Sequence, residues 1–158
     1  MPPEGAPARR VVPPEAAPSP LELRGEGLGI KFNRGRTTTS YSHLAQEAAE
    51  FAFENGDERL FHRLIYKAYF EDLLDIGDID TLVRLGVAAS LDGDALRRAL
   101  VDRRYQASVD EGIAWSRSLG VTAIPTFVFD ERYAMVGAHE LDAFRQMMTK
   151  LGQSPSSS

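Results

Sequence analysis

The sequence predicts an α-rich α/β fold, and three observations carry that prediction. Apolar residues recur at helical spacing through five successive segments between about residues 40 and 119. The period then changes from 3.6 to 2 over Thr126–Asp130 and Tyr133–Val136. A last amphipathic segment with Leu141, Phe144 and Met148 on one face follows this pair of short β runs. The chain has 158 residues, a length that favours one domain of ordinary size.

Composition excludes several function classes. With 18 Lys and Arg against 23 Asp and Glu, the net charge is -5, so the chain has no global field for phosphate backbones and no nucleic-acid partner is expected. The sequence holds no cysteine, which excludes disulfides, thiolate metal sites, cysteine nucleophiles and dithiol redox chemistry by these residues alone. No stretch approaches the ~20 apolar residues of a membrane span, and Arg9 and Arg10 are not followed by an apolar signal core. No membrane partner is expected, and the default reading is a soluble, cytoplasmic protein.

Residues 1–20 contain seven of the nine prolines and few large apolar groups, and they read as an extended or disordered tail. Residues 152–158 read as a second, Ser-rich tail. Between them lies a body over 21–151. Leu28 to Phe32, with glycine nearby, reads as a strand. Thr37, Thr38, Thr39 and Ser40 offer hydroxyl caps for a helix starting near Tyr41 and carrying Leu44, Ala48, Phe51 and Ala52 to a stop at Asn55-Gly56.

Asp57 caps the next helix, with Phe61, Leu64, Ile65, Ala68 and Tyr69 inward. Asp78 opens a third with Leu82, Leu85 and Val87. Asp92 opens a fourth with Leu96, Ala99 and Leu100. A fifth runs from about Tyr105 to Leu119, with Val109, Ile113 and Trp115 or Leu119 inward, and Gly120 stops it. Glu131-Arg132 reads as the link of an antiparallel hairpin, although it is not a favoured turn pair.

Several side chains invite chemistry. His43 with Glu47 and Glu58 with His62 are spaced i, i+4, yet they lie on different helices, and solvated faces explain them better than a metal site. His139 sits at the entry to the last helix and is a general base only if a pocket holds it. Ser40, Tyr41 and Ser42 read as helix-capping residues, because no oriented base follows them. Lys31, Arg34 and Arg36 beside Gly35 form a small basic cluster, a thin warrant for an anion site. The acidic run from Glu71 to Asp80 reads as caps and solvated loops. No catalytic residue, metal ligand or cofactor site is assigned.

The stretch Leu119-Gly120-Val121-Thr122-Ala123-Ile124-Pro125-Thr126-Phe127-Val128-Phe129, followed by Tyr133-Ala134-Met135-Val136-Gly137-Ala138 and a helix, resembles the C-terminal half of a thioredoxin fold. Upstream, Lys67-Ala68-Tyr69-Phe70, Asp75-Ile76-Gly77-Asp78 and Leu82, then Arg104-Tyr105, Val109 and Ala114, resemble the helical insert of the DsbA-like family. The similar branch is that of FrnE and the 2-hydroxychromene-2-carboxylate isomerases. The resemblance covers about residues 28 to 150. It implies a partial DsbA-like thioredoxin domain over 21–151, with a helical insert at about 40–119, a cis-proline loop, a β-hairpin and a C-terminal helix.

The resemblance also implies the site. Ala123, Ile124, Pro125 and Thr126 form the substrate-binding loop, where a cis Ile124–Pro125 bond turns main chain toward a peptide or protein client. Departures are marked. Leu73 stands for a small turn residue, Ala123 for glycine and His139 for glutamine. The βαβ unit with the family's Cys-x-x-Cys pair, or a serine in isomerase-like members, has no counterpart here. A βαβ unit takes about 30 residues or more, and the proline-rich segment cannot replace it.

The expectation is therefore an N-terminally truncated member of the thiol-disulfide oxidoreductase family without redox activity of its own. A non-catalytic peptide-binding module, half of a split protein and a glutathione-dependent isomerase relative are the alternatives. An incomplete sheet leaves the hairpin with an exposed edge, through which a homodimer or a partner chain would form.

Overall fold

The computed structural model describes residues 5–8, 11–13 and 15–153. The parts of the two tail readings that fall on residues 1–4, 9–10, 14 and 154–158 lie outside the described residues. The chain divides into two compact units, Met1–Gly112 and Ile113–Ser158.

The first unit is mostly helical. Strand β1 (Ala6–Pro7) pairs antiparallel with β2 (Thr38–Thr39), and the Ala8 N–H extends the pairing to the Thr37 carbonyl at 2.8 Å. Gly5 has φ +82°, and a Cβ there would lie 2.5 Å from the Thr39 carbonyl oxygen, so the close approach of the two segments requires glycine. The described part of the proline-rich segment is thus extended and paired at this point.

Helix α1 (Pro20–Gly27) is absent from the sequence reading. Ser19 accepts from the Glu22 N–H, the Glu22 carboxylate accepts from the Ser19 N–H, and Pro20 occupies the first turn. The helix escapes periodicity because Gly25 is the residue it buries, while Leu21 and Leu23 face solvent. Leu28–Phe32, expected as a strand, is a turn and an irregular segment. It instead closes α1, with the Ile30 and Leu28 N–H groups donating to the Gly25 carbonyl.

Helices α2 (His43–Asn55), α3 (Glu58–Tyr66), α4 (Ile79–Ala88) and α5 (Gly93–Val101) form the core. Asp57, Asp78 and Asp92 cap the last three through the N–H groups of Leu60, Thr81 and Ala95 at 3.0, 2.8 and 2.9 Å. Ser42 precedes α2 without a side-chain cap bond. A π-helical turn, Lys67–Glu71, continues α3 and ends near Leu73, which adopts φ +57°. The position where a small turn residue was expected is therefore a left-handed one.

Phe61, Leu82, Leu96 and Leu100 are fully buried, joined by Phe51, Ile65 and Tyr105. Val87, assigned to the inner face of α4, is exposed. Leu85 and Gly86 take the inner side, where Gly86 lets Leu96 approach so closely that a Cβ would lie 2.4 Å from its Cδ2.

Helix α6 (Gln106–Ser118) begins in the first unit and ends in the second. Val109 is buried, but Trp115 and Leu119, expected inward, are both exposed. In the second unit, β3 (Thr126–Phe129) and β4 (Tyr133–Val136) form an antiparallel hairpin with Phe127 opposite Met135 and Phe129 opposite Tyr133. The connection is Asp130–Arg132. Asp130 and Glu131 have φ +49° and +52°, and the Arg132 N–H donates to the Phe129 carbonyl. The turn thus sits one residue earlier than the Glu131-Arg132 link read from sequence. Its two left-handed central residues match the twist a hairpin needs.

Helix α7 (Leu141–Lys150) packs Phe144 edge-on against Phe127, with ring centroids 4.8 Å apart. Leu141 and Met148, assigned to the same inner face, are exposed. The buried hydrophobic cluster of the first unit lies within Ala45–Tyr105.

Candidate functional site

The loop between α6 and β3 is built by a helix stop. Gly120, at φ +73°, donates to the Arg117 carbonyl at 2.9 Å, and the Val121 N–H reaches back to the Ser116 carbonyl at 3.2 Å. This pair of bonds is the glycine-terminated helix end that its sequence signals. The chain then runs out to Ala123 and Ile124, and the Ile124–Pro125 peptide bond is cis.

Two bonds fix the loop on either side of that peptide. The Thr126 hydroxyl donates to the Ala123 carbonyl at 2.6 Å, and the Gly137 N–H donates to the Pro125 carbonyl at 2.7 Å. The second bond extends the hairpin ladder by one step. Ile124 lies between them, 90% exposed. Among the described residues its backbone N–H and carbonyl have no protein partner. A rigid frame thus presents one unpaired peptide unit and an exposed apolar side chain, the elements an added extended strand would use.

The loop holds no thiol, because the sequence has no cysteine. His139, the nearest histidine in sequence, has its Nε2 bonded to the Val136 carbonyl at 3.0 Å. It closes the hairpin exit rather than facing a reactant.

The other candidates serve packing. Glu47, read as a solvated residue, is fully buried. It accepts from Arg103 Nε at 2.9 Å and lies 2.6 Å from Arg103 Nη2 and 2.8 Å from His43 Nδ1. The other ring nitrogen of His43 lies 3.0 Å from Asp110 on α6. Charge pairing explains the burial: the Glu47 hydrogen bond holds the Arg103 guanidinium further up its range, and the His43 bond holds the Asp110 carboxyl below its ordinary value. Nothing in local spacing signals this, because Arg103 is 56 positions from Glu47.

His62 Nδ1 lies against the Glu58 carbonyl at 3.1 Å, within its own helix. Among the described residues no cluster of three or more His, Asp or Glu has a metal-holding arrangement. Ser40 is buried and accepts from the Ile76 N–H at 3.3 Å, and Tyr41 stacks on His43. Neither caps α2, so the capping reading of these hydroxyls gives way to tertiary roles.

The arginines of the basic cluster are engaged internally. Arg34 binds both Glu22 oxygens at 2.5 and 2.7 Å and donates to the Ala16 and Ala17 carbonyls. Arg36 donates to the Tyr69 carbonyl and lies 3.8 Å from the Tyr69 ring centroid. In the acidic run, Asp78 caps α4, Asp75 accepts from the Gly77 N–H at 2.9 Å, and Asp72 pairs with Lys67 at 2.7 Å.

A helical insert, then a cis-proline at the entry of a β-hairpin, then a closing helix define a protein of the thioredoxin class with an inserted helical subdomain. The chain belongs to the DSBA-like thioredoxin domain family, which it matches over residues 18–149. The Bacillus subtilis protein YwbO, whose function is uncharacterised, is 29% identical over 131 residues, or 82% of this chain and 65% of YwbO. The crystal structure of a probable DsbA oxidoreductase from Streptomyces coelicolor matches with a TM-score of 0.75 at 26% identity. The match covers 87% of this chain and 60% of that one. The chain therefore spans less than two thirds of each relative.

Proposed function

We propose that this chain is the helical and client-presenting part of a DsbA-type thiol-disulfide oxidoreductase of the FrnE branch. Its thiol-bearing βαβ unit lies outside these residues, and the chain has no redox activity alone. The observation that carries this reading is the exposed Ile124 peptide unit beside cis-Pro125. In the complete protein it would align an extended client next to the reactive thiol. Dithiol exchange would then pass two electrons from the client's thiols to the protein's disulfide, leaving a client disulfide and a protein dithiol.

A second reading, a non-catalytic peptide-binding module, draws support from the absence of cysteine. Both readings leave the hairpin edge open to a partner chain or a second copy, because a two-stranded sheet is marginal by itself.

The test is a photo-crosslinker at position 124 of the gene product purified from its own cell, with a second at exposed Leu21 as control. Crosslinks from position 124 alone to a reduced, unfolded two-cysteine peptide, together with oxidation of that peptide, are expected. Crosslinking without oxidation favours the binding module. Equal crosslinking from both positions overturns the client loop.

A further inference from the structure

The corner between α2 and α3 holds an Asn-Gly pair, Asn55–Gly56, and both residues are exposed. The sequence has two asparagines, and the other, Asn33, is followed by Arg34. An asparagine amide is labile where the next backbone nitrogen can reach its carbon, and glycine leaves that nitrogen unshielded. Packing favours glycine at this place: a Cβ on residue 56 would lie 2.5 Å from Leu91 Cδ2, and the buried Leu91 side chain would have to move.

The folded corner keeps the two reacting groups occupied. Asn55 is the last residue of α2, and its Nδ2 donates to the Phe51 carbonyl at 2.8 Å. The Gly56 N–H donates to the Ala52 carbonyl at 3.0 Å. The leaving group and the nucleophile thus both satisfy carbonyls of the last turn, and they are free to react only when that exposed turn opens.

We propose that Asn55–Gly56 is a self-modification site whose reaction is gated by opening of the α2 end. In the opened turn the Gly56 nitrogen, its proton passed to hydroxide, attacks Asn55 Cγ. The N–Cγ bond forms, the Cγ–Nδ2 bond breaks, and ammonia leaves after taking a proton from water. Water then opens the cyclic imide at either carbonyl, leaving an aspartyl or an isoaspartyl link. The net change is one water consumed and one ammonia released. The product removes its own cap. The Phe51 carbonyl loses the amide donor, and a carboxylate stands at the C-terminal end of α2, where the helix dipole disfavours it. Glu54 of the same turn accepts from the Tyr105 hydroxyl, so the loosened turn reaches the residue before α6.

The test is peptide mapping by mass spectrometry of the gene product purified from its own cell, aged at mildly alkaline pH both folded and in urea. Asn33, whose Nδ2 donates to the Glu71 carbonyl, is the internal control. Conversion at Asn55 ahead of Asn33 is expected in both samples, several-fold slower in the folded one. The aged folded protein should exchange the amides of Glu54, Asn55 and Gly56 faster than the fresh protein. Asn55→Asp should show the faster exchange without ageing, and Asn55→Gln should stay unconverted. Equal rates in the folded protein and in urea overturn the gating. Conversion in urea with none in the folded protein overturns the site, and conversion at Asn33 ahead of Asn55 overturns the role given to Gly56.

Discussion

Glu47 is the one fully buried carboxylate of the helical core, and Arg103, 2.6 Å away, reaches it from the turn between α5 and α6. Arg103 holds a left-handed backbone with φ +53° to do so. His43 joins the pair one helical turn before Glu47 and passes the contact on to Asp110 of α6. Close by, Glu54 of α2 accepts from the hydroxyl of Tyr105, the residue before α6, and Glu50 of α2 from the Ser108 hydroxyl on α6. A polar stripe along α2 thus anchors the start of the helix that leads to the cis-proline loop.

Removing Arg103 leaves the buried Glu47 carboxylate with His43 alone against it among the described residues. Arg103→Ala should destabilise the first unit by about 2–4 kcal/mol, toward the lower part of what a broken buried pair costs, because the guanidinium is partly in water. Pairing it with Glu47→Leu should recover much of the loss. Urea unfolding followed by circular dichroism reads both. Equal stability of the single and double variants would show that the pair is not what suffers.

Glu22 reports the attachment of α1. The Arg34 hydrogen bond, with help from the Ser19 N–H, holds its carboxyl down to about 2 from an ordinary 4.5. A depressed carboxylate stabilises the folded state above its unfolded value and loses that contribution as pH falls toward the folded one. The attachment should therefore be intact above pH 4.5 and weaken from there toward pH 2. An NMR titration of Glu22 should give the low midpoint, and Arg34→Gln should return it toward the ordinary range.

His43 should act on Asp110 in the same sense. Its hydrogen bond is the leading cause that lowers the Asp110 carboxyl. His43→Phe should raise that midpoint toward the usual aspartate range. In the same variant, the amides at the start of α6 should exchange faster. An unchanged Asp110 midpoint would mean that the His43–Asp110 contact is absent in solution.

The hairpin turn carries a removable strain. Glu131 sits at φ +52°, where a side chain costs about 1–2 kcal/mol and glycine costs none. Allowing for the extra freedom glycine loses on folding, Glu131→Gly should stabilise the hairpin by about 0.5–1 kcal/mol. Slower amide exchange at Tyr133 and Phe129 is the readout, and faster exchange would contradict the turn geometry.

The legible parts of the chain are those whose signals are local. Asp57, Asp78 and Asp92 precede apolar periods directly, and each caps the helix it announces. The change of period at Thr126 marks the hairpin, and the family resemblance points to the cis bond at Ile124–Pro125. Long-range effects stayed hidden. Glu47 has the local pattern of a surface residue, and its burial depends on an arginine 56 positions away. Helix α1 lacks an apolar stripe, although Ser19 and Glu22 spell a capping box that could have located it. Trp115 and Leu119 have the period of inward residues, yet among the described residues of the second unit none is a buried hydrophobic that could receive them.

The most direct measurement is the intact mass of the natural gene product from its own cell, with a thiol count on the same sample. The account predicts a species that brings two reactive thiols, either as a mass well above 17.4 kDa or as a tightly held second chain. A single species of 17.4 kDa with no thiol and no partner would contradict it, and would leave the loop at Pro125 as a binding site without redox chemistry.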